Sequence, residues 1–294
     1  MTEPVAGPSP TAAVDAHHHV WDLAVRDQPW TAGLAPLRRS FSVADLRPAA
    51  RRGNVSATVL VQTITVPEET PEMLALAAAE PLIAGVVGWA ALDSPAIADT
   101  LAELRELPGG DALVGLRHQV QEEPDPRWLC RPAVRRGLAA VGAAGLAYDL
   151  LVTAGQLPAA VATVRALPEV RFVLDHAGNP PAGPAANPAA AADWRRDVLE
   201  LARAENVTVK LSGLVTRGYP DRVAPGLLRS WAQTLLDGFG PDRMMFGSDW
   251  PVCTLTSSYD EVLAAARNAV AGLSPAEHRS VFAGTATRFY RLSR

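Results

Sequence analysis

Three consecutive histidines stand near the start of the chain, in the segment VDAHHHVWD that spans residues 14–22. They are His17, His18 and His19, half of the six histidines in the chain. Successive side chains of a strand point to opposite faces, so a strand here would direct His17 and His19 to one side and His18 to the other. Imidazole is a common metal ligand, but a buried histidine also often bonds only a backbone carbonyl. A ligand or catalytic pair and a structural cluster are both open.

A second unusual feature is the lysine content. Of 27 basic residues, 26 are arginines and one is a lysine, Lys210 in the segment VTVKLSG. A coding bias toward arginine explains this composition if one lysine survived by chance. The alternative is a position where only a compact, titratable ammonium functions, because a planar guanidinium does not replace it.

The composition excludes several classes of function. The chain is 48% hydrophobic and 20% charged, and it has no apolar run of 18 residues, so we expect a soluble globular protein. Residues 1–13 contain an acid and three prolines where a secretory signal needs basic and apolar residues, so we expect a disordered tail and a cytoplasmic location. Cys130 and Cys253 fit a reducing compartment and are too few for a cysteine-based zinc site. A net charge of -4 without a basic block argues against a nucleic-acid partner.

Eight short aliphatic segments alternate with helical patterns along the rest of the chain. Near-continuous apolar strands separated by helices indicate a parallel sheet that is covered on both faces. Eight such units predict an α/β fold, a single (β/α)8 TIM barrel over residues 14–294, with no linker that would divide it. The segment at 178–193 is low in complexity and is predicted to be a lid or irregular flap after strand six. The strand segments are 14–20, 56–62, 83–92, 113–119, 147–153, 170–177, 207–213 and 244–250.

Polar residues concentrate where these strands end. In such barrels the chemistry lies at the C-terminal ends of the strands and on the loops that follow them. One polar residue at a strand end is usually structural, but a coincidence on five strands favours a functional site. The residues are His17 and His19 on strand one, Arg117 and His118 on strand four, Asp175 and His176 on strand six, Lys210 and Ser212 on strand seven, and Asp249 on strand eight.

These residues resemble the amidohydrolase superfamily, whose barrels carry His-x-His on strand one and Asp on strand eight. The phrases DAHHHVWD, GLRHQVQEEPD, FVLDHAGNP, VKLSGL, FGSDWPV and FAGTATRFYRL are similar to the amidohydrolase-related branch that contains sugar lactonases and pyrone dicarboxylate lactonases. The resemblance extends from about residue 14 to residue 292, and the six phrases follow the family's order.

Two departures from the superfamily pattern bear on the metal. Many members bind two metals through a strand-four carboxylated lysine or glutamate and a strand-five histidine, whereas here the only lysine is on strand seven and strand five reads AYDLLV. The resemblance therefore implies one divalent ion, which we expect to be zinc, bound by His17, His19 and Asp249. His176 is a further candidate ligand. A metal-free site stays open, because the pyrone-type lactonases of this branch work without metal.

The activity that the resemblance implies is hydrolysis of a sugar-derived lactone, an aldonolactone. Asp249 would act as general base, taking a proton from water and passing it to the ring oxygen. The histidines, with Lys210, would stabilise the carbonyl oxygen, where each donor is worth about 3 to 4 kcal/mol, and His176 is the alternative base. The predicted substrate-binding residues are Arg117, His118, Gln121 and Trp250.

Two other functions compete with a lactonase. A metal-dependent decarboxylase of the same superfamily uses a similar His-x-His and Asp, but the missing strand-five histidine counts against it. A barrel that has lost catalysis and serves as a metal-binding or structural subunit is the other alternative, and the presence of Asp249 and Lys210 counts against it. The particular sugar, the ring size and the oligomeric state are not predicted.

Overall fold

A computed structural model describes residues 12–183 and 187–293. Its eight parallel strands form one sheet in the order β1 to β8. The sheet closes on itself between β8 and β1, where the His19 amide donates to the Trp250 carbonyl at 2.7 Å and the Asp249 amide to the His17 carbonyl at 2.8 Å. The predicted barrel is therefore confirmed. The strands are β1 Ala13–His18, β2 Val55–Val61, β3 Ile83–Gly88, β4 Leu113–His118, β5 Ala147–Leu150, β6 Arg171–Leu174, β7 Val207–Leu211 and β8 Met244–Phe246.

Helices cover the outside of this barrel, and local sequence signals mark where many of them begin. Ser42 and Ser258 each cap a helix in a capping box, and several helices begin with proline, which lacks the amide hydrogen that a first turn leaves unpaired. None of the helices in the described ranges has the length and apolar character needed to cross a membrane. The helices are α1 Val43–Arg52, α2 Glu69–Ala79, α3 Ile97–Glu106, α4 Pro132–Ala143, α5 Leu157–Ala166, α6 Pro188–Ala202, α7 Pro225–Phe239, α8 Tyr259–Ala269, α9 Pro275–Arg279 and α10 Thr285–Tyr290.

The C-terminal segment closes the N-terminal end of the barrel. Ala286, Tyr290 and Leu292 pack against the small and β-branched side chains that the strands direct inward. Arg171, the first residue of β6, fixes this segment by donating to the carbonyls of Phe289 and Gly145. Among the described residues, the end where the strands finish is the open one, and a ligand would enter there.

The predicted tail, strand lengths and lid differ in detail from the structure. Ala13 already belongs to β1, and the rest of the predicted tail, apart from residue 12, lies outside the described residues. Seven of the eight observed strands are shorter than predicted, and β2 has the predicted length. After β6 and β8 the polar residues sit in tight turns rather than in extended backbone. The second part of the predicted lid forms the first turns of α6, and its residues 184–186 lie outside the described residues.

Candidate active site

Two histidines from β1 and an aspartate from the loop after β8 meet at the open end of the barrel. The Nε2 atoms of His17 and His19 are 3.2 Å apart, and Asp249 Oδ1 lies 3.8 Å from the first and 3.5 Å from the second. A third histidine, His176, places its Nε2 4.0 Å from the same oxygen. All four side chains are buried, so the predicted convergence of strand-end residues is present in the fold.

Backbone geometry aims two of these side chains. His176 and Asp249 both adopt left-handed backbone conformations, with φ of 51° and 57°. Such conformations are uncommon for residues other than glycine and often occur at functional sites. They turn the chain sharply after β6 and β8, so that each side chain points over the end of the barrel.

The spacing of His17, His19 and Asp249 fits a single metal ion. Tetrahedral zinc has bonds of about 2.0–2.1 Å, which separates its ligand atoms by about 3.3 Å. His19 Nδ1 is 2.7 Å from the Val61 carbonyl, and because a carbonyl only accepts, Nδ1 carries the hydrogen and Nε2 is free to bind. Burial lowers the pKa of His19 to about 3 and that of His17 well below its ordinary value, so both rings are neutral, as metal ligation requires.

The lone lysine lies beneath His17 inside the barrel. Lys210 Nζ is 2.5 Å from Asp149 Oδ2, 3.0 Å from Asp175 Oδ1 and 3.1 Å from His17 Nδ1, and the side chain has no exposed surface. Burial alone would raise the pKa of Asp175, but Lys210, His17 and Arg117 together outweigh burial and hold that pKa well below 3.8. For Asp149 burial outweighs Lys210, and the pKa is raised. Lys210 thus contacts His17 from below and is not among the residues that line the cavity above it.

Arg117 is the second buried cation of the site. Its guanidinium donates to Asp175 Oδ2 at 3.1 Å and to Gln62 Oε1 at 3.0 Å, and Nη1 lies 3.3 Å from His17 Nε2. Held on both sides, this guanidinium faces the cavity with little freedom to move.

Arg117 and Gln121 line a cavity of about 270 Å³ above these groups, together with His19, His176, Gly213 and Asp249 among others. A monosaccharide-sized molecule suits this volume. A larger groove of about 590 Å³ lies beside Trp21 and α2, away from the histidine cluster.

The other two predicted substrate-binding residues are not brought to this cavity. His118 stacks on Trp128 at 4.2 Å between ring centroids, its Nδ1 accepts from the Trp89 indole and its Nε2 pairs with Glu123. The Trp250 ring instead packs edge-on against Phe41. The sequence places His118 at the end of a strand, but its side chain points away from the barrel axis, opposite to that of Arg117.

Three residues that support the site were missed from the sequence. Gly213 and Gly247 permit close approach, because an added Cβ would lie 2.5 Å from His176 Nδ1 in the first case and 2.6 Å from His17 Cβ in the second. Asp15 is fully buried and accepts from the amides of His17 and Ser248, which ties β1 to the loop after β8. A glycine one or two residues after a strand was the available signal for the first two.

His18, the middle histidine, faces away from the cluster. Its Nε2 is 2.9 Å from Thr58 Oγ1 on β2, and the ring is fully buried. Burial lowers its pKa to about 3, so it is a neutral packing group. Of the three consecutive histidines, the first and third reach the site and the second supports the barrel wall, as strand alternation requires.

Comparison with known proteins gives matches over nearly the whole chain. It is 41% identical over 287 residues to an L-fucono-1,5-lactonase of Burkholderia multivorans, covering 95% of this chain and 96% of that one. It is 35% identical to an L-fucono-1,5-lactonase of Burkholderia ambifaria, covering 97% of each. A crystal structure of a Burkholderia multivorans amidohydrolase with bound zinc superposes with a TM-score of 0.89 at 38% identity, covering 96% of this chain and 100% of that chain. The family described as Amidohydrolase matches residues 14–292, and the chain belongs to this amidohydrolase family.

Proposed function

We propose that this protein hydrolyses the ester ring of a sugar-derived lactone, an aldonolactone of the L-fucono-1,5-lactone type. The observation that carries the proposal is a buried carboxylate, Asp249, beside two neutral imidazoles at the floor of a monosaccharide-sized cavity. The two relatives named L-fucono-1,5-lactonase support the same substrate class.

We also propose that His17, His19 and Asp249 hold one divalent ion, zinc. The support is the spacing of their ligand atoms and the zinc bound to the similar Burkholderia multivorans amidohydrolase. When bound, the ion would supply a Lewis acid for the lactone carbonyl and a lowered pKa for water. If activity survives complete chelation, the metal-free alternative is correct.

The protein's own groups supply the proton transfers. Asp249 takes a proton from the attacking water and gives it to the ring oxygen as the ester bond breaks. In the metal-free site, burial raises the pKa of Asp249, which makes its carboxylate a stronger base than an exposed aspartate. His176 is neutral because burial lowers its pKa, and its Nδ1 is engaged with Ser212 at 2.9 Å, so its Nε2 faces the substrate side.

The donors that line the cavity orient the substrate. Arg117 is fixed by Asp175 and Gln62, so it can donate to the carbonyl oxygen without reorganising. Gln121 lines the cavity and accepts from Asn179 at 3.3 Å, which suits an amide that binds sugar hydroxyls. Lys210 contributes by holding His17 from below.

The test is hydrolysis of a panel of aldonolactones in weak buffer with a pH indicator. A lactonase acidifies the solution without releasing gas, whereas a decarboxylase releases carbon dioxide from an aromatic or other carboxylic acid. Asp249→Asn should slow acidification by about 10² to 10⁴-fold. Asp260→Asn is the matched control, because it makes the same chemical change at an exposed ion pair with Arg52. No acidification with any lactone would overturn the proposal.

We further propose a single domain over residues 14–294 in a cytoplasmic protein that has a small-molecule partner and no nucleic-acid partner. The support is the one continuous barrel and the net charge of -4 without a basic block. Filter binding to DNA and RNA at low salt would reveal any nucleic-acid affinity.

A further inference from the structure

A buried tyrosine connects the closed end of the barrel to the site. Tyr290 is the last residue of α10, in the segment FAGTATRFYRL, and its hydroxyl donates to both carboxylate oxygens of Asp149 at 2.9 and 2.8 Å. Asp149 lies on β5 and its Oδ2 is 2.5 Å from Lys210 Nζ. Lys210 in turn is 3.1 Å from His17 Nδ1. The hydroxyl, the carboxylate and the ammonium thus form one continuous buried chain that ends on His17.

We propose that Tyr290 is a positioning residue, which holds His17 in place through Asp149 and Lys210. This inference rests on the proposed function only where it concerns the catalytic rate. The chain of contacts itself is testable in the protein without substrate.

The contacts of Asp149 explain why one distant hydroxyl matters. Within residues 12–183 and 187–293, the hydrogen bonds to this carboxylate come from Lys210 and Tyr290, and Oδ1 is bonded only by the tyrosine. A fully buried carboxylate oxygen that loses its partner is costly, so the group turns or shifts to recover one. The nearest donor is the Lys210 ammonium, which would then move away from His17.

The charges around Asp149 also make it dependent on the Tyr290 hydroxyl. The groups that act on it are Lys210 on β7, Asp175 after β6 and Tyr290 on α10, whereas Arg117 on β4 pairs with Asp175. Asp149 and Asp175 share the one ammonium, and Asp175 has Arg117 in addition. Burial raises the pKa of Asp149, and the Tyr290 hydroxyl opposes that rise. Asp149 therefore has fewer cationic partners than Asp175, and loss of the Tyr290 hydroxyl removes one of the two donors that stabilise its charge.

The test is Tyr290→Phe, which removes one oxygen and keeps the ring that fills the barrel end. Thr285→Val is the matched control. Thr285 is a buried residue of the same helix whose hydroxyl donates to the backbone carbonyl of Asp242 at 3.2 Å, with no contact to Asp149. Both variants lose a buried hydroxyl of α10, so a general loosening of the helix would appear in both.

The readout without substrate uses the fact that Lys210 is the only lysine in the chain. Protein labelled with ¹³C at lysine Cε and ¹⁵N at Nζ, and free of a lysine-containing tag, gives a single side-chain signal. This signal should shift in Tyr290→Phe and stay at the wild-type position in Thr285→Val. An unshifted signal in Tyr290→Phe would overturn the inference whether or not the protein is a lactonase.

The kinetic readout is the separation of kcat from KM on a lactone that the wild type hydrolyses. Tyr290→Phe should lower kcat between about 10- and 100-fold, the usual effect of losing an outer partner of a metal or catalytic group, with KM little changed. Thr285→Val should keep the wild-type kcat. Equal kcat values for both variants would contradict the inference, while absence of hydrolysis by the wild type would refute the proposed function and leave the lysine signal to decide.

Discussion

Replacing Gly213 by alanine should disable the site by displacing His176. Gly213 follows β7 with φ of 63°, and a Cβ there would lie 2.5 Å from His176 Nδ1. Ordinary contact begins at about 3.4 Å, so the ring would have to retreat by about 0.9 Å. That movement also breaks the 2.9 Å contact between His176 Nδ1 and Ser212. A 1 Å error in a catalytic group can cost about 10²-fold in rate, and we expect a loss of this order in kcat.

A control variant, Gly33→Ala, measures the backbone strain of a glycine-to-alanine change without the clash. Gly33 also has a left-handed backbone, with φ of 82°, and an added Cβ there would meet no atom within 4 Å among the described residues. Gly33→Ala therefore costs only the strain of about 1–2 kcal/mol, whereas Gly213→Ala carries this strain and the clash with the ring. Thermal unfolding measured for both variants separates the two terms.

A double-mutant cycle tests the cause directly. In a His176→Ala background the ring is absent, so Gly213→Ala should reduce kcat no further. Steady-state kinetics on a lactone provide the measurement. If Gly213→Ala behaves like Gly33→Ala, or if its effect is undiminished without the His176 ring, the close contact does not position His176 and the reasoning is refuted.

The remaining predictions concern the charged groups. Asp249→Asn should fold normally and lose about 10² to 10⁴-fold in kcat, since the amide cannot accept the proton from water; retention of most activity would move the general base to His176. Lys210→Arg should lower both kcat and the free energy of unfolding, the latter by roughly 1–3 kcal/mol, because the ammonium is enclosed by two carboxylate oxygens at 2.5 and 3.0 Å and by His17 Nδ1 at 3.1 Å; a variant with wild-type rate and stability would make the single lysine a matter of chance. Elemental analysis should find one zinc per chain, and two metals would contradict the site described above. Asp15 has a pKa raised by burial to about 6 from 3.8, so the folded state binds its proton more readily than the unfolded state does. In metal-free protein the contribution of Asp15 to the free energy of unfolding should therefore fall by roughly 3 kcal/mol as pH rises from 3.8 through about 6, and Asp15→Asn should remove this fall from a denaturant-derived stability profile.

The barrel could be predicted from the sequence because its signal is local and repeated. Eight aliphatic segments alternate with amphipathic helices, and a parallel arrangement then fixes which end carries the strand-end residues. The same rule brought His17, His19 and Asp249 to one place. Alternation along β1 also separated His18 from its two neighbours, since the period of a strand is two residues.

What the sequence could not supply was the direction of side chains in the turns and the contacts between distant segments. His118 follows Arg117 directly, yet the pleat of β4 sends it to an aromatic cluster outside the barrel. Asp149 stands in an apolar segment and looks like an ordinary strand residue until β7 brings Lys210 to it. The link to Tyr290 spans 141 residues of sequence, and no local pattern reports such a pairing.

The charges of the site explain why a lysine stands where the rest of the chain uses arginine. Lys210 and Arg117 contact two fully buried carboxylates, Asp149 and Asp175, so these four groups neutralise one another beneath the cavity. A compact ammonium can direct its hydrogens to two carboxylates while it lies against His17, whereas a guanidinium directs its donors into one plane. Asp249 stands outside this balanced set, next to neutral histidines. The spare negative charge beside the histidines is therefore concentrated on Asp249, where a divalent ion or a proton from water can use it.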